Sequence, residues 1–429
     1  MLVPPGRARG TSTTAPFASV SGGRLSPAAR ALLGMLQSAG GTPTADRVHE
    51  LSPQVRDETV ELALRHGIAP LLHRALQSGG ALAALPDEVR ARLEEARRAT
   101  ALDNLRNYGE FRRIARALRE QGISVIALKG LHLADLVYRD ISLRPMSDLD
   151  ILVPRSQAEH AIATLQRMEF DLKGGIPSGY DTVLIHRRLG IMVEVHWSLA
   201  QPTEPYAPPI ADIWRMAVPA KLGDADTQVM SLEFLLLYVC AHLAYHHLFA
   251  LDLRALCDIA QIAHARPALD WSVVVEQGRQ HGWARGVAAA LRLASEHAGA
   301  DVPGEVLTAL GADQLDPQLM QDALEQLATF AEYSFDLRVA PKLMSLKTPI
   351  GWQAKFATLW SRIFVPRAEL ALLYGIPERS ARINLYYAIR LRDLIRRYAA
   401  SVMEMNGSNA QIVASTARHA RLAKWINGN

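Results

Sequence analysis

Two aspartates one residue apart, Asp148 and Asp150, are the side chains whose spacing most directly indicates chemistry. They lie in the run Arg144-Pro-Met-Ser147-Asp148-Leu-Asp150-Ile-Leu-Val, whose second half predicts a β-strand. Side chains alternate between the two faces of a strand, so both carboxylates project to one side. Two carboxylates in one small volume repel each other, and a bound cation removes that repulsion. Because oxygen ligands suit hard cations, we expect Mg²⁺ at this pair.

A third carboxylate, Glu194, lies in another alternating run, Ile191-Met-Val-Glu194-Val-His196-Trp-Ser. Met192, Glu194 and His196 share one face of this second predicted strand. If the two strands are neighbours in a sheet, three carboxylates converge on one site. His196 then either orients a ligand or is a structural histidine with hydrogen bonds of its own.

The elements that must position these carboxylates predict an α+β fold with a mixed sheet. Residues 124–128 predict a strand that leads through Lys129-Gly130 into a helix ending near Tyr138, and Ser156 is expected to cap a helix that runs to Met168. Residues 182–188 and 191–198 alternate around a glycine and predict a hairpin. Antiparallel pairing after a strand–helix–strand unit excludes a doubly wound parallel sheet.

Helical regions are predicted on both sides of this mixed segment. Ser52-Pro53 is typical of a capped helix start, and Pro86-Asp87-Glu88 opens a long amphipathic helix. We therefore predict a helical layer packed on the sheet, with a separate binding module as the alternative, and a mostly helical chain after Pro208. The predicted division is a disordered tail at 1–26, an N-terminal helical region at 27–120, a catalytic core at 121–205 and a C-terminal helical region at 206–429.

The composition indicates which kind of ligand the protein binds and in which cellular compartment it lies. The 47 basic and 43 acidic residues give a net charge of +4, which favours a small anionic ligand such as a nucleotide over a dedicated nucleic-acid surface. Cys240 and Cys257 fit neither a disulfide framework nor a Cys-x-x-Cys zinc motif, so we expect the reducing cytoplasm. The longest apolar run, 232–243, is shorter than the roughly 20 residues that span a bilayer, and no membrane partner is predicted.

Taken together, these motifs resemble a known group of enzymes. Leu128-Lys129-Gly130, Ser147-Asp148-Leu149-Asp150 and Val193-Glu194-Val195 resemble the signature of the DNA polymerase β-like nucleotidyltransferase superfamily. More narrowly, His242-Leu-Ala-Tyr-His246 followed by Leu253-Arg-Ala-Leu-Cys-Asp258 is similar to a bacterial family of uncharacterised nucleotidyltransferases. This narrower resemblance covers most of the chain.

The resemblance implies a Mg²⁺-dependent transferase that moves a nucleoside monophosphate from a nucleoside triphosphate, expected to be ATP, onto a hydroxyl or similar acceptor. The acceptor is a small molecule or a protein, and pyrophosphate is released. Two Mg²⁺ ions are implied, with Asp148 and Asp150 as the shared ligands. Glu194 would complete the second ligand set, take the proton of the acceptor hydroxyl, or do both.

The same resemblance implies phosphate contacts near the start of the acidic segment. Gly130 lets the backbone approach a phosphate, and Arg144 and Ser147 offer donors, since a guanidinium binds phosphate through two prongs. Lys129 is a phosphate contact or a surface salt bridge.

One position departs from the superfamily pattern. Leu131 stands where a second small residue is usual, and the interval from Gly130 to Asp148 is long. These departures motivate an alternative, a degenerate member that binds nucleotide or a partner without turnover.

His242 and His246 are four residues apart and lie on one face of a predicted helix, a spacing that can hold zinc. The sequence offers no evident third ligand, and the glutamate of the zinc-protease motif is absent. We therefore predict that His242 and His246 either pack against the catalytic domain or, together with His196, line the acceptor cleft.

Overall fold

The computed structural model describes residues 25–37, 43–173, 180–200, 206–208, 210–265, 269–330, 367, 370, 383–392 and 410–426. The predicted tail at 1–26 lies outside the described residues except for its last two positions. Helices precede the first strand, as predicted: α1 (Pro27–Leu36), α2 (Ala45–His49), α3 (Pro53–Arg65), α4 (Ala69–Ser78) and α5 (Asp87–Glu120).

The two predicted helix starts are confirmed. Ser52 Oγ accepts a hydrogen bond from a backbone N–H in the first turn of α3, and Pro53 occupies the first helical position. Asp87 and Glu88 lie in the first turn of α5, where carboxylates interact favourably with the positive end of the helix dipole.

The strands of the described chain form one seven-stranded mixed sheet. They are β1 (Ile126–Ala127), β2 (Leu149–Leu152), β3 (Phe170–Leu172), β4 (Asp181–His186), β5 (Met192–His196), β6 (Ala217–Leu222) and β7 (Ala225–Met230). Their order is β3-β4-β5-β2-β1-β7-β6, with β2–β5 and β1–β7 parallel and the other neighbours antiparallel. The predicted α+β class, the mixed sheet and the β4–β5 hairpin are confirmed.

Within the described residues the chain after Pro208 is mostly helical, as predicted, but it also contributes one hairpin to the sheet. The β6–β7 hairpin lies beyond residue 205, where the predicted catalytic core ends, and β7 pairs with β1 at the centre of the sheet. Gly223 and Asp224 turn this hairpin with φ of +48° and +69°, as a two-residue primed turn requires. The Gly-Asp dipeptide between two short alternating runs was the sequence signal for this hairpin.

The remaining helices lie between the strands and after the sheet. They are α6 (Lys129–His132), α7 (Ala158–Arg167), α8 (Ile210–Arg215), α9 (Leu232–Ala241), α10 (Arg254–Ala263), α11 (Trp271–Gln280), α12 (Ala284–Ala298), α13 (Gly304–Ala309), α14 (Pro317–Phe330) and α15 (Ala410–Ile426). A π turn continues α6 over Leu133–Val137, and another continues α9 over His242–His246. The predicted cap at Ser156 is wrong, because this residue lies in a 3-10 turn and Gln157 precedes α7.

The two faces of the sheet pack against different cores. Ile126 and Leu152 belong to the large core formed with the N- and C-terminal helices, whereas Ala127 and Ile151 belong to a second core under the sheet. Asp150 lies between Leu149 and Ile151 and therefore projects to the side of the large helical core. Within the described residues, no helix combines the length and apolarity that crossing a bilayer demands.

A buried histidine links the N-terminal helices to the C-terminal ones. His66, which follows α3, is 1% exposed. Its Nδ1 accepts a hydrogen bond of 3.0 Å from the backbone N–H of Leu253, so Nε2 carries the proton and donates to the carbonyl of Ala328 at 3.1 Å. Burial lowers the pKa of His66 to about 4, although the bond to Ala328 acts in the opposite direction.

Because His66 is buried in its neutral form, we predict that the contact between the N-terminal and C-terminal helices weakens in acid. The folded pKa lies below the ordinary value of 6.5, so the stability from neutral His66 is fully present above pH 6.5 and is lost as the pH falls towards 4. We expect the free energy of unfolding of the wild type to drop by up to about 3 kcal/mol more across this window than that of a His66→Asn variant. Chemical denaturation at a series of pH values measures the difference. The exposed His160→Asn variant is the matched control, and a pH dependence of His66→Asn equal to that of the wild type would contradict the assignment.

Candidate active site

The carboxylates meet because β2 and β5 run side by side. In the parallel β2–β5 pairing, Asp150 lies opposite Glu194 and Leu152 lies opposite His196. Residues opposite each other project to the same face of a sheet. His196 Nε2 lies 3.2 Å from Asp150 Oδ1 and 3.5 Å from Glu194 Oε2. The convergence of Asp150, Glu194 and His196 that strand alternation predicted is present in the structure.

Asp148 lies at the edge of a cavity beside Asp150 and Glu194, and these three carboxylates are called the acidic group below. It precedes β2 by one residue and lines a cavity of about 230 Å³. The walls of this cavity also include Lys129, Gly130, Arg144, Ser147, Asp150 and His242. Every residue predicted to contact phosphate therefore lines the same cavity as the two aspartates.

The pKa values of Asp148, Asp150 and the neighbouring His196 are shifted in different directions. Burial, together with the neighbouring charges of Asp150 and Glu194, raises the pKa of Asp148 to about 6. Burial alone would also raise the pKa of Asp150, but Lys129 and the hydrogen bond from His196 outweigh it and hold this pKa well below its ordinary value. Burial opposes the charged form of His196, yet hydrogen bonds to Asp150 and Glu194 raise its pKa to about 9. At neutral pH an imidazolium therefore faces the Asp150 carboxylate.

Lys129 lies between the acidic group and the helices above it. Its Nζ is 3.9 Å from Asp150 Oδ2, 3.1 Å from His242 Nε2 and 5.4 Å from the centre of the Tyr238 ring. Burial opposes the charge, but Tyr238 and Asp150 outweigh it and raise the pKa of Lys129 above its ordinary value. The predicted alternatives were a surface salt bridge and a phosphate contact. The observed ion pair is mostly buried and lies on the cavity wall.

Gly130 is required by a close approach between α6 and the loop that precedes β2. A Cβ at this position would lie 3.2 Å from Arg144 Nη1 and from the side chain of Met146. The Lys129-Gly130 dipeptide is the first turn of α6 and not a separate turn before the helix. Leu131, the departure from the family pattern, is fully buried in the core under the sheet and does not line the cavity.

Arg144 is anchored by a carboxylate that the sequence did not assign to it. Its Nε and Nη2 donate to Asp258 Oδ1 and Oδ2, both at 3.0 Å. The hydroxyl of Tyr138 donates to the same Asp258 Oδ1 at 2.8 Å. Two of the three guanidinium nitrogens of Arg144 are therefore used within the protein, and Nη1 lies on the side of Gly130.

Two long helices hold the loop that carries Arg144 to Ser147. Asn104 of α5 is fully buried and donates to the carbonyl oxygens of Ile141 and Arg144 at 2.6 and 2.8 Å. Arg254 of α10 donates to the carbonyl of Pro145 at 3.1 Å. The sequence signal for Asn104 was its place as a polar residue on the buried face of an amphipathic helix. A buried amide at such a position usually makes hydrogen bonds to backbone groups.

The histidines lie in the π turn after α9. The rings of His242 and His246 stack with their centres 5.1 Å apart. The backbone N–H of His247 donates to the carbonyl of His242 at 3.1 Å, and this i to i+5 bond places His247 Nε2 3.2 Å from His242 Nε2. The ring of Tyr180 lies 6.3 Å from that of His196 and 6.4 Å from that of His246. Two of the three histidines predicted for the acceptor cleft, His196 and His246, therefore lie beside Tyr180.

The acidic group has the donors that a divalent cation needs. Asp150, Glu194 and His196 each offer an atom, and these atoms lie within 4.8 Å of one another. The carboxylates of Asp150 and Glu194 raise the pKa of Asp148, so negative charge in this group remains incompletely balanced by Lys129 and His196. Carboxylate oxygens fit Mg²⁺ or Mn²⁺, and His196 could join them as a ligand only after losing its proton.

Comparison with known proteins gives one match. A family model described as an uncharacterised nucleotidyltransferase matches residues 52–299, more than half of the chain. The matched segment runs from the cap of α3 to the end of α12 and contains all the site residues described above. No curated protein and no solved structure matches the chain.

The Arg144–Asp258 pair predicts a large loss of stability when one partner is removed. Asp258→Ala would leave the buried guanidinium without its carboxylate, and we expect the free energy of unfolding to fall by about 3 to 5 kcal/mol. The double variant Arg144→Met/Asp258→Leu removes both charges and should lose much less. Urea unfolding compares the variants, with the exposed Asp103→Ala as control. Equal losses in the single and double variants would show that an unpaired buried charge is not the cause.

Proposed function

Because the chain belongs to the family of uncharacterised nucleotidyltransferases, we propose that it transfers a nucleoside monophosphate from a nucleoside triphosphate to an acceptor. The triphosphate is ATP and the acceptor group is a hydroxyl or a similar nucleophile, with pyrophosphate as the second product. The observation that carries this proposal is the pairing of Asp150 with Glu194 across β2 and β5, with Asp148 on the wall of the adjoining cavity.

The acidic group is our proposed site for the metal. Asp148, Asp150 and Glu194 would hold Mg²⁺, with two ions as the expected number, and His196 is close enough to take part. Bound Mg²⁺ would stabilise the negative charge that develops on the attacking and leaving oxygens. His196 and Lys129 balance part of the acidic charge when no cation is bound.

The remaining roles follow from position. The side chain of Glu194 is 26% exposed beside Asp150, and as a carboxylate it can take the proton of an acceptor hydroxyl. Lys129, Gly130, Arg144 and Ser147 line the cavity and would contact the triphosphate there. Because Asp258 already holds two nitrogens of Arg144, this residue would reach a phosphate through Nη1 alone.

The acceptor is proposed to be a small molecule or a protein, bound near Tyr180, His196, His242 and His246. A net charge of +4 on 429 residues does not favour nucleic acid as the acceptor. Cys240 and Cys257 are buried free thiols, which is why we place the enzyme in the reducing cytoplasm.

Asp150→Asn and Glu194→Gln are the variants that test the metal assignment. Each removes one charged oxygen ligand, and we expect the transfer rate with ATP and Mg²⁺ to fall by at least about 1,000-fold, a loss of about 4 kcal/mol in transition-state stabilisation. Pyrophosphate release measured in cell extract, which supplies the unknown acceptor, reports the rate. The exposed Asp103→Asn should retain wild-type activity, and an active Asp150→Asn/Glu194→Gln double variant would refute the proposal.

A second measurement separates turnover from binding alone. Calorimetric titration with ATP and Mg²⁺ should give binding to the wild type, and labelled triphosphates incubated with extract should give label on a metabolite or protein. Binding of ATP without pyrophosphate release, across all four nucleotides and several extracts, would favour the degenerate alternative. Leu131, the departure that motivated this alternative, is buried in the core and does not line the cavity.

A further inference from the structure

Apart from the acidic group, the structure gathers three imidazoles in the π turn after α9. We propose that His242, His246 and His247 form a second metal site that binds a late first-row divalent cation, with zinc as its probe. Each ring offers one nitrogen, and the three nitrogens lie within 4.8 Å of one another. The sequence offered no evident third ligand beside His242 and His246, and the structure places His247 close enough to supply one.

The distances suit a common ligand sphere. In a tetrahedral zinc site with Zn–N bonds of 2.0–2.1 Å, two ligand nitrogens lie about 3.3 Å apart. The Nε2 atoms of His242 and His247 are 3.2 Å apart. The ring of His246 lies 5.1 Å from that of His242 and 4.8 Å from that of His247, centre to centre. Three protein ligands with a fourth position open are typical of zinc sites that also bind water or an anion.

The backbone around the histidines is held in an uncommon conformation. Leu248 and Phe249 follow the three ligands directly and adopt φ of +49° and +59°, a region that costs free energy for residues with a side chain. Phe249 is fully buried, which fixes this bend. Gly286 of α12 packs so closely against the turn that a Cβ there would overlap the ring of Tyr245. The turn that carries the imidazoles is therefore tightly constrained.

The two sites would select different cations. Asp150 and Glu194 present oxygen ligands, which suit Mg²⁺, whereas three imidazoles suit zinc and its neighbours. A metal would bind the free lone pair of each neutral ring. Lys129 Nζ lies 3.1 Å from His242 Nε2 and competes for the same lone pair.

Zinc binding to the full chain tests the site without any assay of transfer. The protein is stripped with a chelator and titrated with Zn²⁺ in excess Mg²⁺, with a zinc-sensitive dye as competitor. We expect one zinc per wild-type chain and at least about 100-fold weaker binding for His242→Ala and His247→Ala. The exposed His160→Ala should bind zinc as the wild type does, and the acidic-site variant Glu194→Gln should lose no zinc affinity. Circular dichroism and thermal unfolding check that each variant is folded.

X-ray absorption at the zinc edge needs no variant and covers the case in which a histidine variant does not fold. We expect nitrogen or oxygen neighbours at about 2.0–2.1 Å with the outer-shell scattering of three imidazoles. Absence of zinc binding by the wild type would overturn the proposal. Zinc binding that is lost in Glu194→Gln but retained in His247→Ala would also overturn it, because the ion would then belong to the acidic group.

The Lys129→Met variant tests the contact between Lys129 Nζ and His242 Nε2. Removing the ammonium abolishes its competition for His242 Nε2, so this variant should bind zinc at least as tightly as the wild type, and by our expectation several-fold more tightly. Weaker zinc binding in Lys129→Met than in the wild type would contradict the arrangement.

Discussion

The parallel pairing of β2 with β5 is the constraint on which the site depends, since it fixes Asp150 directly opposite Glu194. Carboxylates held side by side repel each other, and burial strengthens the repulsion because little water is present to screen it. The chain supplies positive charge from two directions. His196 follows Glu194 by two residues on the same face of β5, and Lys129 reaches Asp150 from the helix that begins after β1. These two positive charges balance part of the negative charge at this point of the sheet.

The helical regions complete the site and are not merely a cover for the sheet. The loop before β2 carries Arg144 and Ser147, and its carbonyl oxygens are satisfied by Asn104 of α5 and Arg254 of α10. Asp258 of α10 adds a two-pronged ion pair to Arg144. Since these partners are up to 114 residues away in the sequence, the cavity can form only when both helical regions are docked on the sheet. The complete cavity wall is therefore built from all three regions of the chain.

The sequence predicted the parts of the site that depend on local pattern. Strand alternation placed Asp150 and Glu194 on matching faces, and the β4–β5 hairpin followed from alternation around a turn. Two features required information that periodicity does not contain. The pairing of Arg144 with Asp258 depends on how α10 docks, and the approach of His247 to His242 depends on an i to i+5 hydrogen bond where the sequence indicates an ordinary helix. The β6–β7 hairpin was predictable from Gly223-Asp224, although its parallel pairing with β1 depends on tertiary packing.

Lys129 connects the two groups of potential metal ligands, because its ammonium contacts Asp150 on one side and His242 on the other. A single positive charge cannot serve both groups fully. A cation on the imidazoles would repel Lys129 towards Asp150, where it would neutralise a carboxylate and weaken the attraction for a cation at the acidic group. A cation on the carboxylates would repel Lys129 towards His242, and the ammonium would then occupy the lone pair of His242 Nε2. Such coupling is reciprocal by thermodynamic necessity, so each site would lower the affinity of the other by the same factor. The buried position of one lysine thus makes the acidic group and the histidines a single electrostatic unit.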